Sequence, residues 1–285
     1  MFKKILIPVS SEFYTKEILQ RGVFLAEKFK SKTDIVYIIE EKTLDQTDKQ
    51  SDAFRTHYEI EDTKKEIVGT QKQKADNIIF EDARTIYKEK GLTVEDKTAE
   101  GQFSTVIKKE IKNNNYDLIL MGYNKQCNLN YRLLDDMDIP IWLESEKQGD
   151  SILAVCSNLA PNQKVPDLSM KLAKLLNWNL NMLYVIDMQD NVEVDRQGNR
   201  SGKKSENDLK DNGINFQKEM KQKNINVEIV KGNLEKQTFK KAKDLGANLV
   251  IIGREKKQKG TLGLPVKNIK RKIAGKCKYS ILFIN

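Results

Sequence analysis

Past Gly253 the chain reads REKKQKGTLGLPVKNIKRK, so that Arg254, Lys256, Lys257, Lys259, Gly260 and Asn268 set four cations, a glycine and an amide in one short stretch. Lysine is a flexible point cation, and glycine lets backbone N–H groups approach a bound oxygen. Residues of these types in this order can hold a phosphate or another anion. Cys156 and Ser157 close an apolar run in the second half, and Ser10 and Ser11 close a similar run near the start. A cysteine in such a place turns nucleophilic only where cations lower its pKa, and otherwise it is packing. These groups do not combine into a catalytic set. Ser10 and Ser11 have no histidine beside them, His57 is the single histidine, and the carboxylates are spread over helix-like stretches. The expectation is a chain with no catalytic residues, not an enzyme. No metal site is expected either, because Cys127, Cys156 and Cys277 are odd in number and lack any CxxC spacing.

The elements that must position these residues occur twice. A step of 21 residues separates Gly101 from Gly122 and again Gly232 from Gly253, and the runs ILIPVSS at Ile5 and ILAVCSN at Ile152 are each followed 32 residues later by YIIE and YVID. Two landmarks agreeing in register mark an internal duplication. The offset is 147 for the first landmarks, 131 for the glycines and 140 for the closing runs at Ile141 and Ile281. The first copy thus carries extra residues in its middle and the second carries extra residues after its final glycine, as loops tolerate. The repeats divide the chain into domains 1–147 and 148–285, joined by the polar linker Glu144 to Asp150.

Each repeat reads as five short apolar strands separated by helical patterns, which favours a parallel α/β arrangement. Strands are expected at Lys4 to Val9, Asp34 to Glu40, Leu92 to Thr98, Asp117 to Met121 and Pro140 to Glu144. In the second repeat they fall at Ile152 to Cys156, Asn181 to Ile186, Asn226 to Val230, Leu249 to Ile252 and Ser280 to Ile284. The insertion in the first repeat is expected to be one helix from Phe54 to Lys90, with Ile60, Ile67, Ile78, Ile79, Ala83 and Ile86 on one stripe. Gln189 to Asn212 reads as a mobile loop.

Composition narrows the function classes. With 39% apolar and 32% charged residues and a mean hydropathy of −0.61, the chain can bury two modest cores. Its longest apolar runs are far short of the roughly 20 residues that a membrane span needs. The start, MFKK, leads directly into a strand that recurs at Ile152, so it is read as structural rather than as a signal peptide, and the expected location is cytoplasmic. The first 147 residues hold 24 basic and 27 acidic side chains, and the rest hold 26 and 14. Residues 251 to 285 alone hold ten Lys or Arg and one acid, Glu255, which attracts anions without specifying one.

A strand of the type ILIPV, a second ending YIIE, then EG, about twenty residues, DLILMG and a last strand after IP resembles a universal stress protein domain, over Phe2 to Ser145 and again over Asp150 to Asn285. The resemblance implies two tandem Rossmann-like domains of the adenine nucleotide alpha hydrolase-like kind. Each would be a five-stranded parallel sheet of order 3-2-1-4-5 flanked by helices. A ligand crevice would lie where the strand order reverses. It would be lined by Ser10, Ser11 and Gly122 in one half and by Cys156, Ser157 and Gly253 in the other.

ATP-binding members resemble one another in an aspartate closing strand 1 and a loop G-x2-G-x9-G-[ST] after strand 4, whose backbone donors and hydroxyl hold phosphates. This chain departs from both elements. Ser10 and Cys156 are taken to stand at the aspartate position, Lys125 and Lys256 at the second glycine, and Gly260 and Gly263 fall out of register. The expectation is therefore no bound cofactor and no ATP in the family's geometry.

Three functions remain in play. The first is a non-catalytic tandem stress-response scaffold or regulator whose repeats pair within the chain through IPIWLE and YSILFIN, with a homodimer or an unidentified protein partner as further contacts. The second is a phosphate-ligand module on Arg254, Lys256, Lys257, Lys259 and Asn268. The third is nucleic-acid binding by a basic helix at Ile269 to Lys278, whose cations lack interleaved aromatics and read first as a solvated face.

Overall fold

The computed structural model describes residues 1–11, 13–40, 57–122, 134, 137–145, 149–255, 273–275 and 278–284, with the backbone alone at 57–61 and 63. They fall into two compact units, Met1–Asn128 and Leu129–Asn285.

In the first unit β1 (Lys4–Val9), β2 (Lys32–Ile39), β3 (Val94–Glu100) and β4 (Leu118–Gly122) lie parallel in the order β3-β2-β1-β4. β1 and β4 are buried almost throughout, as strands covered on both faces must be. Pro8 sits inside β1 and cannot donate to a ladder, and the pairing of β1 with β4 runs only through Ile5 with Leu118 and Leu6 with Ile119. β3 departs from the expected apolar run. It alternates exposed Glu95 and Lys97 with half-covered neighbours, and charges on such a strand discourage pairing with another chain.

α1 (Lys16–Phe29) buries Ile18, Leu19, Val23, Leu25, Ala26 and Phe29. Gly22 lets it lie close to the sheet, since a Cβ there would come within 2.6 Å of both Ile7 Cδ1 and the Tyr87 hydroxyl. The helix expected over Phe54 to Lys90 runs without a break from His57 to Glu89, as α2 (His57–Lys74), a π-helical turn (Ala75–Phe80) and α3 (Glu81–Glu89); residues 54–56 lie outside the described residues. The wider turn shifts the helical register. Ala75, Ile79, Phe80, Ala83 and Tyr87 are buried, whereas Ile78, placed on the stripe by its spacing, is 54% exposed. α4 (Phe103–Asn114) then leads into β4.

In the second unit β5 (Ile141–Glu144), β6 (Ser151–Ser157), β7 (Asn179–Ile186), β8 (Val227–Lys231), β9 (Leu249–Gly253) and β10 (Ser280–Ile284) take the order β5-β10-β9-β6-β7-β8. The strands of the second repeat are parallel and follow the expected 3-2-1-4-5 order. β6 carries Val155 where β1 carries Pro8, and its ladder to β9 continues through Val155 with Ile252. β5, from the run IPIWLE, adds a strand of the other direction beside β10, from YSILFIN, where those two runs were expected to adjoin. It pairs antiparallel with β10, Trp142 opposite Leu282, and gives this unit six strands.

A buried polar cluster fixes that pairing. The Glu144 carboxylate accepts the Trp142 indole N–H at 2.8 Å and the Ser280 hydroxyl at 3.1 Å, and Ser280 Oγ accepts the Ser145 N–H at 3.2 Å. Around the sheet lie α5 (Val165–Leu176), α6 (Glu206–Gln222) and α7 (Leu234–Asp244). Ser205 and Asp208 cap α6 reciprocally, and the Asn233 side chain caps α7 by accepting from the Lys236 N–H. Among the described residues no helix is long and apolar enough to cross a membrane.

Replacing Ser280 by Ala leaves Glu144 short of a donor and removes an acceptor from Ser145. We expect a loss of about 1–3 kcal/mol in urea unfolding, a magnitude set by charge-assisted and buried bonds.

Candidate functional site

The strand order of the second unit reverses between β6 and β9, so their carboxyl ends define the crevice where an α/β sheet holds a ligand. Here the turn that follows β6 packs against the end of β9. After β6 the backbone turns back on the strand end, with Ala160 N donating to Ser157 O. Asn162 clamps the turn, since its Oδ1 accepts the Ser157 N–H at 2.9 Å and its Nδ2 donates to Ser157 O at 3.0 Å. Pro161 is thereby laid across Gly253. A Cβ on that glycine would stand 1.9 Å from the Pro161 carbonyl oxygen.

A second layer closes over the first. Asn158, buried beside Ser157, donates to the carbonyls of Asp187 (3.1 Å) and Val192 (2.9 Å) and accepts the Asp187 N–H at 2.8 Å. Its own carbonyl accepts the Val194 N–H. Residues 190–204 fold back on themselves as a flap, with Ser201 N bonded to Glu193 O and Lys204 N to Asn191 O. Arg200 latches the flap. Its Nε donates to Glu255 Oε2 at 3.0 Å and its Nη1 to Asp190 Oδ2 at 2.7 Å. Both side chains of the Arg200–Glu255 pair are largely buried; burial alone lowers the Arg200 pKa, but its hydrogen bonds together with the charges of Glu255 and Asp190 raise it on balance. The stretch expected as a mobile loop over Gln189 to Asn212 is therefore a pinned flap followed by the start of α6.

The residues singled out from sequence are distributed as follows. Cys156 and Ser157 end β6, and Gly253 ends the neighbouring β9. Arg254 is 4% exposed, and its guanidinium donates to the carbonyls of Ile139 (2.7 Å), Met137 (2.9 Å) and Leu134 (3.4 Å). The guanidinium thereby ties the end of β9 to the chain that precedes β5. Lys256, Lys257, Lys259, Gly260 and Asn268 lie outside the described residues. So do Cys127, Cys277, most of Ile269 to Lys278 and the side chain of His57. Cys156 is wholly buried, and burial pushes its thiol pKa up, which removes the thiolate a nucleophile needs. Among the described residues no group of three or more His, Cys, Asp or Glu could hold a metal ion.

The register of the two copies also needs correcting. With the offset of 147 that relates Ile5 to Ile152, Ser10 corresponds to Ser157, not to Cys156, and Glu40 corresponds to Asp187. In the first unit Ser10 Oγ donates to Glu40 Oε1 at 3.3 Å, both residues being buried, and Phe13 N donates to Ser10 O. Gly122 has more room than Gly253, since a Cβ there would first meet Thr15 Oγ1 at 3.2 Å. In the second unit Asp187 takes a structural role. Its Oδ2 accepts the Leu234 N–H at 2.7 Å at the amino end of α7, where a carboxylate is favoured, and its Oδ1 accepts the Gln189 N–H. Sequence reading missed Asn158, Pro161, Asn162, Asp187 and Arg200. Only the pairing of Glu40 with Asp187 was open to it, through the offset.

Comparison with known proteins bears on this arrangement. Residues 1–136 match the model of the universal stress protein family. The fold is similar to that of a Pseudomonas aeruginosa UCBPP-PA14 protein assigned to the universal stress proteins, over 99% of this chain and 93% of that one, with a TM-score of 0.67 and 14% identity. It is also similar to a universal stress protein from Archaeoglobus fulgidus DSM 4304, over 99% and 96%, with a TM-score of 0.64 and 14% identity. At such identities the likeness is one of fold alone. No curated protein matches the chain.

The two crevice glycines should respond differently to the same change. Gly253→Ala forces Pro161 off its seat and is expected to cost about 2 kcal/mol or more in urea unfolding, whereas Gly122→Ala needs only a shift of a flexible Thr15 and should cost less than about 1. In a Cys127→Ser, Cys277→Ser background, Cys156 should resist N-ethylmaleimide at pH 8 and react fully only in denaturant.

Proposed function

We propose that the chain is a tandem universal stress protein, its second half repeating the fold of its first, that serves as a non-catalytic cytoplasmic stress-response scaffold or regulator and does not bind ATP in the manner usual for the family. The family match over residues 1–136 supports the stress-response role. One observation carries the rest: the place beside Gly253 where a nucleotide would enter is taken by the backbone of Pro161. The latch of Arg200 on Glu255 and the commitment of Arg254 to carbonyls support the same reading, because these two guanidinium groups are already engaged within the chain.

The antiparallel pairing of β5 with β10, the last strands of the two repeats, supports repeats that pair within one chain. In this reading that contact replaces one between two separate copies and leaves neither strand edge free there.

A second reading has the basic excess in its favour, ten Lys or Arg against one acid in residues 251 to 285. It keeps a weak phosphate site on Lys256, Lys257, Lys259, Gly260 and Asn268, now without Arg254. A third, nonspecific nucleic-acid binding by Ile269 to Lys278, draws on the same excess.

Thermal unfolding with increasing MgATP separates the readings, since a ligand held at a thousand times its Kd stabilises by about 4 kcal/mol. We expect no change of midpoint at about 5 mM MgATP. An equal rise with ATP and with tripolyphosphate would favour the second reading, and a rise selective for ATP would overturn the first.

A further inference from the structure

A cleft of about 470 Å³ opens in the second unit on the far side of Tyr184, between the start of α5, one face of α6 and the flap. That is within the size range of sites that hold small molecules, about 300–1,000 Å³. Its floor is aromatic. The half-buried Phe216 ring lies 5.1 Å from the ring of Tyr184 at 38°. Gly213 lets α6 lie close enough to β7 for this, because a Cβ there would meet Tyr184 at 3.2 Å. Around the floor stand the amides of Gln163, Asn212 and Asn215, each able to donate and to accept.

The charges on the wall decide the ligand class. Lys223 is already engaged by Asp167 at 3.4 Å and by Glu219 at 3.7 Å. Glu193 and Arg196, three residues apart on the flap, both line the cleft, and neither side chain forms an ion pair or hydrogen bond among the described residues. A polyphosphate would meet Glu193 with Arg196 as its one uncommitted cation among the described residues, since Lys223 and Glu219 are paired with each other. A purely apolar ligand would use the Phe216 ring alone and gain nothing from the amides or from either flap charge. A zwitterion with a flat apolar side chain satisfies all of them.

We infer that this cleft is a binding site for a free aromatic amino acid, whose carboxylate is taken by Arg196, whose ammonium is taken by Glu193, and whose ring lies on Phe216. The amides of Asn212 and Asn215 discriminate among side chains. The cleft adjoins the turn after β6, sharing Asn162 and the flap with it, and the inference does not depend on the function proposed above.

The test is a titration of the full chain with L-phenylalanine, read from the side-chain amide signals of Gln163, Asn212 and Asn215 by NMR. The expected result is a saturable shift of those signals. Binding should be at least tenfold weaker, about 1.4 kcal/mol, for 2-phenylethylamine, which lacks the carboxylate, and for 3-phenylpropionate, which lacks the ammonium. Arg196→Ala and Glu193→Gln, on the exposed flap, should each weaken L-phenylalanine by a similar factor. The inference is overturned by the absence of a saturable shift at about 10 mM, or by binding indifferent to both variants or equal for the three compounds.

Discussion

The contact of Pro161 with Gly253 is the constraint around which the second unit is organised. A side chain on Gly253 would collide with the Pro161 carbonyl, so the glycine that could admit a ligand's phosphates admits a piece of the chain's own backbone. The rest follows as support. Asn162 holds the turn from below through both of its amide atoms, Asn158 ties it to the end of β7, and the flap rests on Asn158. None of these bonds is strong alone, at about 1 kcal/mol net each, but they share partners and stand or fall together. The same close approach is absent at Gly122, where Thr15 is the nearest neighbour. The strand ends at Gly122 and Gly253 are thus packed differently.

Charge is handled in the same spirit. The second half is the basic half, yet the arginines nearest the crevice are inward-facing. Arg254 reads three carbonyls and Arg200 joins two carboxylates. Planar guanidinium groups suit such multi-point contacts in a way lysine does not. Breaking one partner of a buried pair such as Arg200 with Glu255 leaves the other unpaired, so the flap is fixed more by the cost of opening than by the net strength of its bonds.

Much of the fold was legible in the sequence because it rests on periodic signals. All ten strands fall within a few residues of their expected positions, since apolar runs and a repeated offset locate strands without reference to tertiary contacts. What escaped was decided by packing. Nothing in the spacing of Ile78 and Ile79 announces a π-helical turn that exposes one and buries the other. Val155 in place of Pro8 was visible, but its consequence for the ladder was not. The candidate site was least legible, because Pro161 acts through its backbone, and Arg254 reads identically whether it faces solvent or three carbonyls.

The pairing of β5 with β10 has a consequence for biosynthesis. Ser280 and Glu144, which share a hydrogen bond, are 136 residues apart, so a ribosome releases β5 long before its partner exists. Through that interval Ile141, Trp142 and Leu143 have no ladder along that edge, and non-local pairings of this kind are slow to form. The nascent chain therefore carries an unpaired apolar strand edge until residues 280 to 284 have emerged, and such an edge is prone to association through that interval.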